Sequence, residues 1–227
     1  MKKILFINPS LRLKSPTKFL PVGIASVMTY LDANNIDFDF LDIDINELED
    51  NQVEDFLDRN RYDIILSGSI VTHYKWMKWL TSTIKKYNKN SVIIIGNSVA
   101  GSIPKLFLEN SSADIAIVGE GEITCLKLVR TIIKGNSWES LDGLAYKSRS
   151  GEVIVNKARR GHKKLDDFPM INWNKFDTDK YFLKSYAAAK AVDDQKVRVM
   201  PVVTARGCAF RCTFCHFVFW NDPYRYR

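Results

Sequence analysis

Short apolar runs rich in β-branched residues alternate with stretches of helical periodicity through the first 135 residues. This alternation constrains the fold more than any other feature, because nearly continuous apolar runs are typical of strands buried on both faces of a sheet. The predicted strands span residues 4–7, 38–43, 64–66, 92–95 and 115–118. The predicted helices span residues 22–34, 53–59, 74–87, 103–109 and 123–134. We therefore expect right-handed βαβ units that build a parallel sheet.

This pattern predicts an α/β fold, a doubly wound flavodoxin- or Rossmann-like domain with a five-stranded parallel sheet. Residues 144–147 and 152–156 flank a glycine-containing turn signal and predict a β-hairpin. Residues 157–195 are polar and irregular, as in a linker, and residues 197–203 form one more predicted strand. The predicted organisation is a sheet domain over residues 1–140, a hairpin and linker over 141–195, and the start of another domain over 196–227.

Positive charge is concentrated in the C-terminal third of the chain. Residues 1–155 carry 18 basic and 19 acidic side chains, whereas residues 156–227 carry 15 basic and 7 acidic ones. A basic stretch of this kind can bind nucleic acid, but a solvated linker, or a surface that pairs with another part of a larger protein, explains it better. A nucleic-acid partner is therefore not expected.

The sequence favours the cytoplasm. No apolar run approaches the roughly 18 residues of a membrane span. The apolar run at residues 4–7 ends at Asn8-Pro9, which favours a buried strand over a signal peptide. Cys125 lies in a predicted helix and is expected to be a buried thiol, so no disulfide framework is implied.

The other cysteines, Cys208, Cys212 and Cys215, share one short segment with the spacing C-x3-C-x2-C. Soft thiolates select iron–sulfur clusters, zinc or copper(I). Three ligands are one fewer than a closed tetrahedral site needs, and a [4Fe–4S] cluster held by three sulfurs leaves one iron open. We therefore expect a [4Fe–4S] cluster here. The alternatives are a zinc site with His216 as the fourth ligand and a chance cluster of structural thiols.

Small and polar residues follow four of the predicted strands. In an open parallel sheet, ligands bind beyond the carboxyl ends of the strands. Glycines there let the backbone approach a ligand, and the helix starts present free N–H groups. These loops are Asn8-Pro9-Ser10, Ser67-Gly68-Ser69, Gly96-Asn97-Ser98 and Gly119-Glu120-Gly121-Glu122. The sequence predicts a ligand site at this edge, although any one of the glycines is explained equally well by a tight turn.

Residues 204–215 resemble the cluster loop of radical S-adenosylmethionine (SAM) enzymes. The resemblance implies that the open iron chelates the amino and carboxylate groups of SAM. One electron, from a donor such as flavodoxin or ferredoxin, then cleaves SAM to methionine and a 5′-deoxyadenosyl radical. It also implies that Phe214 packs near the adenine of SAM. Arg206 and Arg211 flank the loop. Tuning of the cluster charge is one interpretation of them, but exposed side chains are the favoured one.

Residues 1–135 resemble the cobalamin-binding domain that precedes many radical SAM domains. The resemblance rests on residues 19–24 at the start of the first helix, on Gly96-Asn97 and on residues 119–122, and it extends to a connector at residues 165–173. The cobalamin contacts that it implies are Asn8, Pro21, Gly23, Gly68, Ser69, Thr72, Gly96, Asn97, Gly119, Glu120, Gly121 and Glu122. The motif D-x-H-x-x-G, which supplies a histidine to cobalt in cobalamin mutases, is absent. His73 is expected at the surface or at a helix start.

The resemblance implies the N-terminal portion of a cobalamin-dependent radical SAM enzyme. The commonest reaction of such enzymes is methyl transfer to an unactivated carbon, here of an unidentified small molecule, whereas others do rearrangements or cyclisations. Only the first strand of the barrel is expected within this chain, so that it would be a fragment, a prematurely ended reading frame, or a subunit completed by a second polypeptide, and inactive alone.

Two alternatives stay open. One is a non-catalytic cobalamin-binding module with a vestigial cysteine loop. The other is an RNA-modifying enzyme such as a methylthiotransferase. It is disfavoured because those enzymes carry further N-terminal cysteines, whereas this chain has Cys125 alone in that part.

Overall fold

The computed structural model describes residues 2–185, 198–210, 212–215 and 224–227. Within these ranges, seven strands form one sheet: β1 (Ile4–Asn8), β2 (Asp39–Asp42), β3 (Ile64–Gly68), β4 (Val92–Gly96), β5 (Ile115–Ile117), β6 (Leu144–Lys147) and β7 (Val153–Val155). The helices are α1 (Val22–Asp32), α2 (Ile43–Asn46), α3 (Asp50–Arg59), α4 (Tyr74–Tyr87), α5 (Ser98–Gly101), α6 (Pro104–Glu109), α7 (Gly121–Ile133) and α8 (Thr178–Leu183).

The predicted α/β fold is confirmed. The first five strands are parallel and lie in the order β2-β1-β3-β4-β5, which is a doubly wound arrangement. Every residue of β1 is buried. Ile4 and Phe6 belong to the core on one side of the sheet, whereas Leu5 and Ile7 belong to the core on the other. This division explains why the strand sequences are continuously apolar.

The sheet is larger than predicted, because the expected hairpin joins it. Strand β6 pairs antiparallel with β5, and β7 pairs antiparallel with β6. An open β5 would expose a row of unpaired N–H and C=O groups. The hairpin covers them and buries Leu144 and Ala145 completely. The expectation of five strands therefore describes the parallel part of a mixed sheet.

The strand predicted at residues 197–203 is not found at residues 198–203, and residue 197 lies outside the described residues. A strand needs a neighbour to satisfy its backbone groups, and no strand is paired with residues 198–203 in the described part of the chain. A two-residue strand follows instead: β8 (Ala205–Arg206) pairs antiparallel with β9 (Arg225–Tyr226).

The connector that was expected to be an irregular linker packs on the sheet. Tyr181 of α8 is 2% exposed, and its hydroxyl donates a 2.8 Å hydrogen bond to Asp42 Oδ2 at the end of β2. Asn8 Nδ2 donates to Asp42 Oδ1 at 2.8 Å. Burial raises the pKa of Asp42 above its ordinary value, although these two donors oppose the shift. The buried hydrogen bonds fix α8 at the carboxyl ends of β1 and β2.

None of the helices in the described ranges is both long enough and apolar enough to cross a membrane.

Candidate functional site

A cavity of about 350 Å³ opens at the carboxyl edge of the parallel strands, between the starts of α1 and α7. Four apolar side chains that line it come from neighbouring strands: Phe6 from β1, Leu66 from β3, Ile94 from β4 and Ile117 from β5. The lining also includes eight of the residues predicted to contact cobalamin, which are Gly23, Gly68, Gly96, Asn97, Gly119, Glu120, Gly121 and Glu122. The structure therefore brings together residues that are spread over 100 positions of sequence.

Four other predicted contacts do not line this cavity. Asn8 is buried, and its side chain forms hydrogen bonds with Asp42 and Tyr181. Ser69 Oγ lies 3.1 Å from His73 Nδ1, and Pro21 is the N-cap residue of α1. Thr72 lies in an exposed 3₁₀ turn. A contact between these four residues and cobalamin stays a prediction that the cavity does not support.

Glycine is needed at Gly68 and useful at Gly96 for two different structural reasons. A Cβ atom on Gly68 would lie 3.0 Å from the carbonyl oxygen of Gly96, so this position needs glycine for the close approach of the ends of β3 and β4. A Cβ atom on Gly96, by contrast, would have no other protein atom within 4 Å. Gly96 therefore lies beside open space, where a ligand can approach the backbone.

Asn97 adopts a backbone conformation that favours glycine, with φ 61° and ψ −172°. Conformations of this kind cost of order 1–3 kcal/mol for other residues. Part of the cost is offset because Asn97 Oδ1 accepts a 2.6 Å hydrogen bond from the backbone N–H of Ser98 and caps α5. A strained residue that lines a cavity is a feature of ligand sites.

We expect Asn97→Gly to raise the free energy of unfolding by about 1 kcal/mol, because the relief of strain exceeds the entropy cost of glycine and the loss of the cap. Urea unfolding measures the change. Asn110→Gly is the matched control, since Asn110 has a negative φ at the end of α6 and should lose stability. A destabilised Asn97→Gly variant would show that the cap outweighs the strain.

Two acidic side chains at the start of α7 meet an arginine from the far end of the chain. Arg206 Nη2 donates to Glu122 Oε1 at 2.6 Å and to Ser26 Oγ at 3.0 Å, and Ser26 Oγ donates to the same Glu122 oxygen at 2.6 Å. Burial would raise the pKa of Glu122, but the hydrogen bond and charge of Arg206 outweigh it and hold the pKa below its ordinary value. The buried carboxylate is therefore charged and paired.

The interpretation of Arg206 as an exposed side chain was wrong. Its side chain is 20% exposed and it lines the cavity. Arg211 lies outside the described residues. The acidic pair in Gly119-Glu120-Gly121-Glu122 was the available signal for a basic partner, but nothing in the sequence indicates which of the many lysines and arginines it is.

The cysteine loop, the second predicted site, lies largely at the surface. Cys208 and Cys212 are exposed, Cys215 is half-buried, and all three are free. No group of three or more His, Cys, Asp or Glu residues within the described ranges is arranged to hold a metal ion. Phe214 is 91% exposed, and His216 lies outside the described residues.

The prediction of a buried thiol at Cys125 is confirmed. Burial, helped by the charge of Glu122, raises its pKa to about 12. This thiol therefore stays protonated and unreactive at neutral pH.

Residues 10–129, more than half of the chain, match the family model of the B12 binding domain. The chain belongs to the B12-binding domain family. The matched range contains the loops after β3, β4 and β5 that line the cavity, and it ends within α7. The predicted resemblance to cobalamin-binding domains is thereby confirmed.

Curated relatives of this B12-binding domain chain are longer proteins. It is 29% identical over 159 residues to cytidylyl-2-hydroxyethylphosphonate methyltransferase of Streptomyces wedmorensis, covering 60% of this chain and 29% of the relative. It is 28% identical over 149 residues to anaerobic magnesium-protoporphyrin IX monomethyl ester cyclase of Rubrivivax gelatinosus, covering 63% and 25%. The chain thus spans less than a third of the length of these relatives.

Two solved structures share the fold of this B12-binding domain chain. The radical SAM methyltransferase TsrM of Kitasatospora setae, with cobalamin and a [4Fe–4S] cluster bound, superposes with a TM-score of 0.76 at 15% identity, covering all of this chain and 44% of TsrM. The cobalamin-dependent SAM radical enzyme OxsB, with aqua-cobalamin and SAM bound, gives a TM-score of 0.66 at 21% identity, covering 95% and 28%. At these identities the likeness establishes the fold.

Proposed function

We propose that this chain binds cobalamin at the carboxyl edge of its parallel sheet and serves as the cobalamin-binding part of a radical SAM enzyme. One observation carries the proposal: an open, largely apolar cavity lies within the part of the chain that belongs to the B12-binding domain family. Apolar walls with a few polar groups are typical of cofactor sites. The backbone at Gly96 and the carboxylate of Glu120 would contact the part of cobalamin that enters the cavity.

The second half of the proposal is a [4Fe–4S] cluster on Cys208, Cys212 and Cys215, with Phe214 beside the adenine of SAM. The spacing of the cysteines supports it. Free, solvent-accessible thiols are compatible with it, since metal binding itself orders the loops that provide the ligands. When bound, the cluster would supply the electron for reductive cleavage of SAM.

The proposed reaction is methyl transfer from SAM through cobalamin to an unactivated carbon of a small molecule. Support comes from similar proteins, since the relative from Streptomyces wedmorensis and TsrM are both methyltransferases. The electron would come from a small redox protein such as flavodoxin or ferredoxin. A reducing cytoplasm suits both the exposed thiols and the cluster.

Retention of cobalamin tests the first half. After incubation with hydroxocobalamin and gel filtration, we expect the visible absorbance of cobalamin to elute with the protein in stoichiometric amounts. Free cobalamin and a colourless protein would contradict the proposed cobalamin site.

Anaerobic reconstitution with iron and sulfide tests the second half. We expect a brown protein, and Cys212→Ser should abolish iron uptake because a thiolate ligand is lost. Cys125→Ser is the matched control: it also removes a thiol, but one that is buried in α7 and is not part of the loop, and iron uptake should persist. Stoichiometric zinc with no iron would contradict the cluster and favour the zinc site.

A non-catalytic cobalamin-binding module is the second candidate function. It is favoured by the family match, which covers residues 10–129 and ends before the cysteine loop. The two assays distinguish the candidates, since such a module retains cobalamin but takes up no iron.

A further inference from the structure

The segment that leads into the cysteine loop lies against the cavity in the sheet domain. Val203 and Arg206 line this cavity together with residues from the first 125 positions. Arg206 belongs to β8, and Cys208 follows it by two positions. The wall of the candidate cobalamin site is therefore continuous in sequence with the first cysteine of the candidate cluster site.

At this wall, the guanidinium of Arg206 contacts side-chain oxygens of Glu122, Ser26 and Glu120. Besides its bonds to Glu122 and Ser26, its Nη1 lies 3.5 Å from Glu120 Oε1. The side chains of Glu120 and Glu122 are 10% and 4% exposed. Removal of one partner from a buried ion pair leaves an uncompensated charge and is strongly unfavourable. The ion pair therefore strongly favours the arrangement in which residues 203–206 lie against the cavity, which we call the docked position.

Strand β9, which pairs with β8, also contacts Glu120. Arg225 of β9 places Nη2 3.0 Å from Glu120 Oε1, and its Nη1 donates to the carbonyl oxygen of His162 at 2.6 Å. Both strands of the small β8–β9 ladder thus contact the first turn of α7 or its N-cap residue. Acidic side chains are favourable at that end of a helix, and the two arginines complete their pairing.

Arg206 also lies between two cavities. A second cavity of about 240 Å³, lined by Met170, Trp173 and Met200 among others, shares Ser26, Val203 and Arg206 with the cavity at the sheet edge. The guanidinium and the Ser26 hydroxyl are therefore part of a thin wall with space on both sides. A ligand in the sheet-edge cavity would contact this wall directly.

We propose that Arg206 is a positioning residue that couples occupation of the sheet-edge cavity to the placement of the cysteine loop. The identity of the occupant, cobalamin, rests on the proposed function above. A ligand that prefers the cavity with Arg206 docked stabilises the docked segment, and the docked segment strengthens ligand binding by the same factor.

Amide hydrogen exchange of residues 204–207 tests this coupling without any catalytic assay. In the protein without cobalamin, we expect Arg206→Met to exchange at least tenfold faster than the wild type at these amides, because Met keeps the length but loses the ion pair. Glu122→Gln should give a similar acceleration. The double variant should add little to either change, since both remove one interaction.

Arg198→Met is the matched control, because Arg198 belongs to the same described segment but forms an exposed pair with Asp179 at 3.7 Å. It should leave exchange at residues 204–207 within twofold of the wild type. Arg206→Lys should recover part of the protection, since it restores the charge with a single donor group.

Addition of hydroxocobalamin completes the test. We expect it to slow exchange at residues 204–207 at least fivefold in the wild type, and to have no effect there in Arg206→Met. Unchanged exchange in ligand-free Arg206→Met would overturn the role of Arg206, whether or not cobalamin binds. Cobalamin that is retained by the wild type without slowing these amides would overturn the coupling alone. Failure of the wild type to retain cobalamin would overturn the proposed function, and with it the assigned occupant.

Discussion

Gly96→Val is expected to weaken retention of hydroxocobalamin by roughly 100-fold while the fold is preserved. A Cβ atom at this position meets no other protein atom within 4 Å, so the added side chain finds space without displacing the sheet. That space adjoins the proposed cobalamin cavity. Overpacking costs about 1–3 kcal/mol, and each 1.4 kcal/mol is a tenfold change in affinity.

Gel filtration with visible absorbance measures the retention, and urea unfolding measures the stability. Asn90→Val is the matched control, because it adds an apolar side chain in the exposed turn before β4, at the opposite edge of the sheet. The control should retain cobalamin like the wild type. Undiminished retention by Gly96→Val would place the bound cobalamin outside this cavity.

Tyr181→Ala is expected to lower the free energy of unfolding by about 3–5 kcal/mol, which is the usual cost of truncating a large buried aromatic side chain. Tyr181 is 2% exposed, and its hydroxyl is one of the donors to the buried carboxylate of Asp42. The change therefore leaves a cavity and also removes a buried hydrogen bond to the carboxyl group of Asp42.

Tyr181→Phe separates these two contributions. It keeps the ring and should cost about 1–3 kcal/mol, the usual range for leaving a buried acceptor without its donor. Leu183→Ala is the control on the same helix, because Leu183 is 75% exposed, and it should cost about 0.5 kcal/mol or less. Equal stability of Tyr181→Ala and Leu183→Ala in urea would mean that the connector does not contribute to the folded core.

The parallel sheet could be predicted because its signals are local. Strands β1, β3, β4 and β5 each contain a continuous apolar run, and the helix predicted at residues 74–87 has the same bounds in the structure. The attachment of the hairpin to β5 could not be predicted, because the sequence of a strand does not indicate which distant strand it pairs with. Helix α7 begins at Gly121, two residues before the predicted start, with Glu120 as its N-cap residue.

The candidate site was predictable in part for the same reason. The glycine-containing loops directly follow the strands in sequence, so the topology predicts that they lie together at the carboxyl edge of the sheet. Arg206 and Glu122 are 84 positions apart, and Asn8 and Tyr181 are 173 positions apart. Such contacts depend on how the last third of the chain folds back, and charge or hydrophobicity along the sequence does not specify that path.

The pairing of β6 with β5 has a practical consequence for anyone who prepares the cobalamin-binding domain alone. A shortened protein that stops after α7 would present the backbone of β5 as a ready template for intermolecular strand addition, which promotes precipitation. Preparations that retain residues through the second hairpin strand keep that template occupied by the chain's own backbone.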